Sequence, residues 1–90
     1  MGRLSAGEIT ERVAALHGWE RTGVEIRRVD RFGGFKEAMA FVNRVAGLAD
    51  AMDHHPDILV QYDKVTLVLT SHDAGGLTER DFRLAGAIDA

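Results

Sequence analysis

The sequence predicts an α+β fold: a four-stranded antiparallel sheet with three helices packed on one face, in the order α-β-β-α-β-β-α. Three observations lead there. Apolar residues recur at helical spacing in three separate stretches, two pairs of short β-branched segments lie between them, and each pair is joined closely enough to be a hairpin rather than a crossover. At 90 residues the chain makes one domain spanning 1–90, and 46% apolar against 28% charged residues places it among ordered globular chains.

The elements follow in order. Ser5 with Glu8 fits a capping box, and Ile9, Val13 and Leu16 make one apolar stripe, so a first helix runs from about Ala6 to Leu16 and stops at Gly18. Trp19 opens a short extended stretch, and Val24 to Phe32 supplies its partner around Gly23. After Gly33 and Gly34, apolar contacts at helical spacing from Phe35 through Phe41, Val45 and Leu48 to Met52 define the central helix. Pro56 disfavours helical backbone at His55, so this helix gives out where the histidines begin. Asp57 to Tyr62 and Val65 to Ser71 read as strands joined by a two-residue loop at Asp63-Lys64. Gly75-Gly76 marks a chain reversal, and Thr78 with Asp81 resembles a second capping box, opening a last helix that carries Phe82, Leu84, Ala85 and Ile88.

Composition removes several function classes. With no cysteine there is no disulfide framework, thiolate zinc site or cysteine nucleophile. A net charge of -3 argues against nucleic acid as a direct ligand, and no apolar run approaches the ~20 residues of a membrane span, so a cytoplasmic protein is expected. A chain this short has a marginal core, which favours association with further copies.

The chemistry lies in the four histidines, His17, His54, His55 and His72. A hairpin closing with Tyr62 opposite Val65 sets Val60 against Leu67, Ile58 against Leu69 and His55 against His72. That register gathers His54, His55 and His72 at one strand end and puts Tyr62, Val60 and Ile58 on the apolar face. The opposite face, with Leu59 and Val68 among polar residues, suits a subunit contact. His17 reads as a helix-end residue. Adjacent histidines lack the four-residue offset of helical metal ligands, so no metal is expected, and Ser71 beside His72 points to the opposite face, which disfavours a nucleophilic triad. Metal-free acid/base catalysis by imidazoles remains as the chemistry these residue types suit.

The spacing Asp50, His54-His55-Pro56, Tyr62, His72 and Asp81 resembles the pterin-4a-carbinolamine dehydratases. The likeness extends over Leu4-Ser5-Ala6, Gly18-Trp19, Phe35-Lys36-Glu37-Ala38 and His72 to Phe82; Ile58 stands where animal members carry tryptophan, and Asp50 where they carry glutamate. The resemblance implies dehydration of 4a-hydroxytetrahydropterin to the quinonoid dihydropterin in tetrahydropterin recycling, with no metal or organic cofactor. It implies His54 and His72 as the acid/base pair, His55 as a pterin-positioning residue that assists, and Asp53, Thr70, Ser71 and Asp73 bordering the ligand. Asp50 and Asp81 would support the histidines. It also implies a homodimer or dimer of dimers, and a different use of the fold: animal members serve as dimerisation cofactors of a homeodomain transcription factor.

Overall fold

A computed structural model describes residues 2–90, and its element order is the expected one. Helix α1 (Ala6–Ala14) starts at a capping box in which the Ser5 side chain accepts from the Glu8 amide and the Glu8 carboxylate accepts from the Ser5 amide. It ends two residues before the expected Leu16. Strands β1 (Trp19–Thr22) and β2 (Glu25–Arg31) form an antiparallel hairpin around Gly23, whose φ of 62° lies in the left-handed region that glycine tolerates.

Helix α2 (Phe35–Met52) spans the expected range, but the proline is not what stops it. Asp53 adopts a left-handed conformation (φ 50°, ψ 43°), and the His54 amide reaches back to the Ala49 carbonyl at 3.1 Å, the six-to-one bond of a Schellman ending. The helix therefore ends at its own cap, and Pro56 merely follows.

Strands β3 (Asp57–Gln61) and β4 (Lys64–Leu69) complete a sheet of order β1-β2-β4-β3. The expected register is corrected here. Ile58 pairs with Leu67 and Val60 with Val65, a displacement of two residues along β4, and the loop is Tyr62-Asp63 rather than Asp63-Lys64. Tyr62 takes φ 55° in that loop and is 69% exposed instead of joining the apolar face. Three contacts account for the slip: β2 pairs Arg31 with Lys64, the Phe32 amide donates to the Asp63 carbonyl at 2.8 Å, and the Tyr62 ring stacks on Phe35 at 6.4 Å. A displacement of two keeps the side chains that remain paired on their expected faces, so Val65, Leu67 and Leu69 still enter the core beside Ile26. Ala38, Val45 and Ala49 of α2, together with Leu84, Ala85 and Ile88 of helix α3 (Glu79–Asp89), fill the other side of that core. The remaining sheet face is open; the cross-sheet row Val29, Thr66, Leu59 leaves Val29 49% and Leu59 53% exposed.

Candidate functional site

The site is assembled around the first turn of α3. Thr78 is its N-cap: its hydroxyl accepts from the Arg80 amide at 3.3 Å, and its own amide donates to Asp81 Oδ2 at 2.9 Å. Asp81 is completely buried, and its two oxygens do more than cap the helix. Oδ2 also accepts from the Ser71 hydroxyl at 2.8 Å, and Oδ1 stands 2.6 Å from His54 Nε2. A further hydroxyl contact of 2.9 Å joins Ser71 to Thr78. Among the described residues no buried side-chain nitrogen or oxygen lacks a partner, as a low-dielectric site requires.

This arrangement assigns the imidazole's tautomer. With Asp81 in its carboxylate form, an acceptor only, the His54 proton must sit on Nε2, and Nδ1 of the neutral ring is then the nitrogen able to exchange a proton with a ligand. The carboxylate orients the imidazole through a buried contact, an arrangement of the kind that positions a general base. Among the described residues no arginine or lysine bonds to the carboxylate directly; the positive end of α3 and the neutral donors hold it in place, and Arg80 reaches the network only through its Nε, which donates to the Thr78 hydroxyl at 3.4 Å.

His55 goes the other way. Its Nε2 lies 2.9 Å from Asp50 Oδ1, one turn back on α2, and the two side chains are 59% and 80% exposed, so that pair contributes little to stability. His72 begins a short 3-10 turn (His72–Ala74) directly after Ser71 and is exposed. That turn is closed by paired backbone bonds between Ser71 and Gly76, both 3.2 Å, with Gly75 left-handed at φ 74°. Asp73 meets Arg80 Nη2 at 2.6 Å, and this hydrogen bond holds its carboxyl below the usual range. Thr70 donates its hydroxyl to the Val24 carbonyl at 2.6 Å, tying the end of β4 to the β1–β2 turn. Asp53 is the left-handed cap of α2, facing none of these partners in any hydrogen bond described.

The structure thus joins His54, Ser71 and Asp81 by direct contact, sets His72 beside Ser71, and sends His55 with Asp50 to the surface. The expected pairing of His55 with His72 is not formed, because β3 and β4 pair only from Asp57 and Val68 onward. Two cavities, of about 400 and 200 Å³, are lined by neither His54, His55 nor His72. Among the described residues no group of three or more histidines and carboxylates has metal-holding geometry. Sequence reading missed the Arg80 partner of Asp73 and the Thr78 hydroxyl on Ser71. The capping box flagged Thr78 and Asp81 for their local role, and only the family resemblance set Asp81 in support of the histidines.

The chain resembles several known proteins along its whole length. It is 56% identical over 87 residues to a protein of Roseiflexus sp. (strain RS-1) named "Putative pterin-4-alpha-carbinolamine dehydratase", with 97% of this chain and 94% of that one covered. A protein of the same name from Acidobacterium capsulatum is 51% identical, with 100% and 98% covered. A crystal structure from Brucella melitensis, described as a transcriptional coactivator/pterin dehydratase, superposes with a TM-score of 0.91 at 33% identity over 99% of this chain and 100% of that one. The sequence model of the pterin 4 alpha carbinolamine dehydratases matches residues 2–90, and the chain belongs to that family.

Proposed function

We propose that this protein dehydrates a 4a-hydroxytetrahydropterin to the quinonoid dihydropterin, with His54 and His72 as the acid/base pair and His55 positioning the pterin. The observation that carries this reading is the buried His54–Asp81 contact of 2.6 Å, which leaves one imidazole nitrogen oriented and available. In the step, the C4a–O bond breaks as a proton reaches the departing hydroxyl, water leaves, and an N–H proton of the ring is taken up by the second imidazole. Both transfers occur near neutral pH, where imidazoles carry and release protons. Asp53, Thr70, Ser71 and Asp73 border the ligand, Asp50 and Asp81 support the histidines, and no cofactor enters the step.

A stopped-flow assay with freshly prepared 4a-hydroxytetrahydropterin tests this. His72→Ala, at an exposed position, and His54→Ala each slow the catalysed phase by roughly 10²–10⁴-fold. Normal rates in both variants, with the fold intact by circular dichroism, sink the reading.

The protein works as a homodimer or dimer of dimers in the cytoplasm, without nucleic acid or membrane as direct partner. The exposed Val29 and Leu59 on the open sheet face support association, which sedimentation velocity checks. A second reading, a non-catalytic interaction module, draws on the coactivator description of the Brucella relative. Co-purification of a stable heterologous partner with no turnover would favour it.

A further inference from the structure

The smaller cavity lies away from the histidines, under the N-terminal segment, and it has the makings of a binding site. It measures about 200 Å³ and is lined by the N-terminal segment, the β1–β2 turn and the Gly76-Leu77 loop, with the Leu4 amide bonded to the Leu77 carbonyl at 2.9 Å. Arg3 and Arg21 line it, no acidic side chain does, and Ile9, Val24 and Leu77 supply apolar wall. Arg12, Arg28 and Arg80 each meet a carboxylate, whereas among the described residues neither Arg3 nor Arg21 does. Arg21 spends only its Nε, on the Gly23 carbonyl at 2.9 Å, leaving its terminal nitrogens as donors.

Two further features point the same way. Ala6, the first residue of α1, also lines the cavity, and the amides of a helix's first turn have no acceptor within the helix and carry its positive end. The carboxylate in that turn, Glu8, is engaged by the Ser5 amide and does not line the cavity. Gly76 makes room for Arg3: a Cβ there would stand 2.8 Å from Arg3 Cδ and 3.3 Å from Cγ.

We propose that this cavity binds a phosphate group. Two arginines without a carboxylate partner, beside the positive end of α1 and against apolar wall, match the charge and donor needs of a phosphate dianion better than those of a neutral ligand. The volume falls below the roughly 300 Å³ where pockets for whole drug-sized ligands begin, so it takes a head group rather than an entire molecule. The phosphate is either the free ion or a monoester on a pterin side chain. The second source rests on the dehydratase reading. Val24 and Gly76 in the cavity wall are bonded to Thr70 and Ser71, the two residues leading into His72.

The test follows backbone amides of Gly23, Val24, Gly76 and Leu77 by NMR while inorganic phosphate is titrated at low ionic strength. Saturable shifts confined to these amides are expected, weakened about tenfold in each of Arg3→Gln and Arg21→Gln. Gly76→Ala, which displaces the Arg3 stem, weakens binding as well, and thermal melts of the exposed-site variants match the parent. Shifts that rise linearly, spread over the surface, or persist unchanged in both arginine variants overturn the proposal. A pterin carrying a phosphate monoester identifies the source. Binding tighter than both inorganic phosphate and the unphosphorylated pterin, lost in Arg21→Gln, marks the tail of a substrate; binding no tighter than inorganic phosphate marks the free ion. Turnover of an unphosphorylated pterin is read separately, so loss of the phosphate site and loss of the dehydratase reading leave different results.

Discussion

Helix α3 holds a buried carboxylate at each end, and the two are neutralised in opposite ways. Asp81, in the first turn, is fully buried and receives the Thr78 amide, the Ser71 hydroxyl and His54, none of them permanently charged. Asp89, in the last turn, has a side chain 8% exposed and receives the Arg28 guanidinium, the Trp19 indole at 2.8 Å and the His17 amide at 2.8 Å. The helix field favours a negative charge at 81 and opposes it at 89, so the second carboxylate needs a fixed cation, which Arg28 shares with Asp30 at 2.7 Å. The comparison separates a site that can move a proton from one that can only hold the fold together. A guanidinium does not titrate in a protein, whereas an imidazole does.

Exchanging each aspartate for asparagine breaks that contrast most directly. Asp81→Asn keeps the shape, but once its amide oxygen serves Ser71 and Thr78, its NH2 faces His54 and favours the tautomer with Nδ1 protonated. We expect the dehydration rate to fall by roughly 10³–10⁴-fold, as when the orienting carboxylate of a base is neutralised, with about 1–3 kcal/mol of stability lost. Stopped-flow kinetics and urea melts check both figures. Asp89→Asn should do the reverse: Arg28 keeps Asp30 but loses its buried partner, costing about 2–3 kcal/mol while the rate per folded molecule stays unchanged. A rate loss at 89 as large as that at 81 would erase the distinction.

Smaller effects sharpen it. Ser71→Ala removes one donor to Asp81 and leaves His54 in place, so about 1 kcal/mol of stability and only a several-fold loss of rate are expected from the same measurements. The least effect belongs to the exposed pair Asp73–Arg80. Hydrogen bonding to Arg80 depresses the Asp73 pKa in the folded state, so this group's contribution to stability is present above the unfolded carboxylate value and is lost as pH falls through the folded one. Arg80→Gln should return the Asp73 carboxyl, followed by carbon NMR, toward the ordinary 3.8 and flatten the acid limb of the stability curve.

How much of this could be read from the chain depends on the reach of each interaction. The Ser5–Glu8 and Thr78–Asp81 boxes, the run of α2 and the break at Gly75-Gly76 all rest on contacts within a few residues, and all were legible. The loop of the second hairpin was not. A tyrosine in the left-handed region is a poor local choice, tolerated because β2, the Phe32 amide and the Phe35 ring hold the register from outside.

The histidines show the same boundary more sharply. Their expected gathering rested on a hairpin register that the fold displaces, and whether 54 or 55 turned inward depended on a backbone reversal at Asp53 and on a carboxylate 27 residues further along. Adjacent residues in an irregular segment carry no periodic signal to say which faces the core. Asp81 illustrates why: its capping role is a local fact written in three residues, and its hold on His54 exists only once α3 is laid against the end of α2. Element identity and capping are settled by short-range chemistry; the choice of the buried imidazole belongs to long-range packing, because a buried carboxylate must recruit its partners from whatever the fold brings within hydrogen-bond distance.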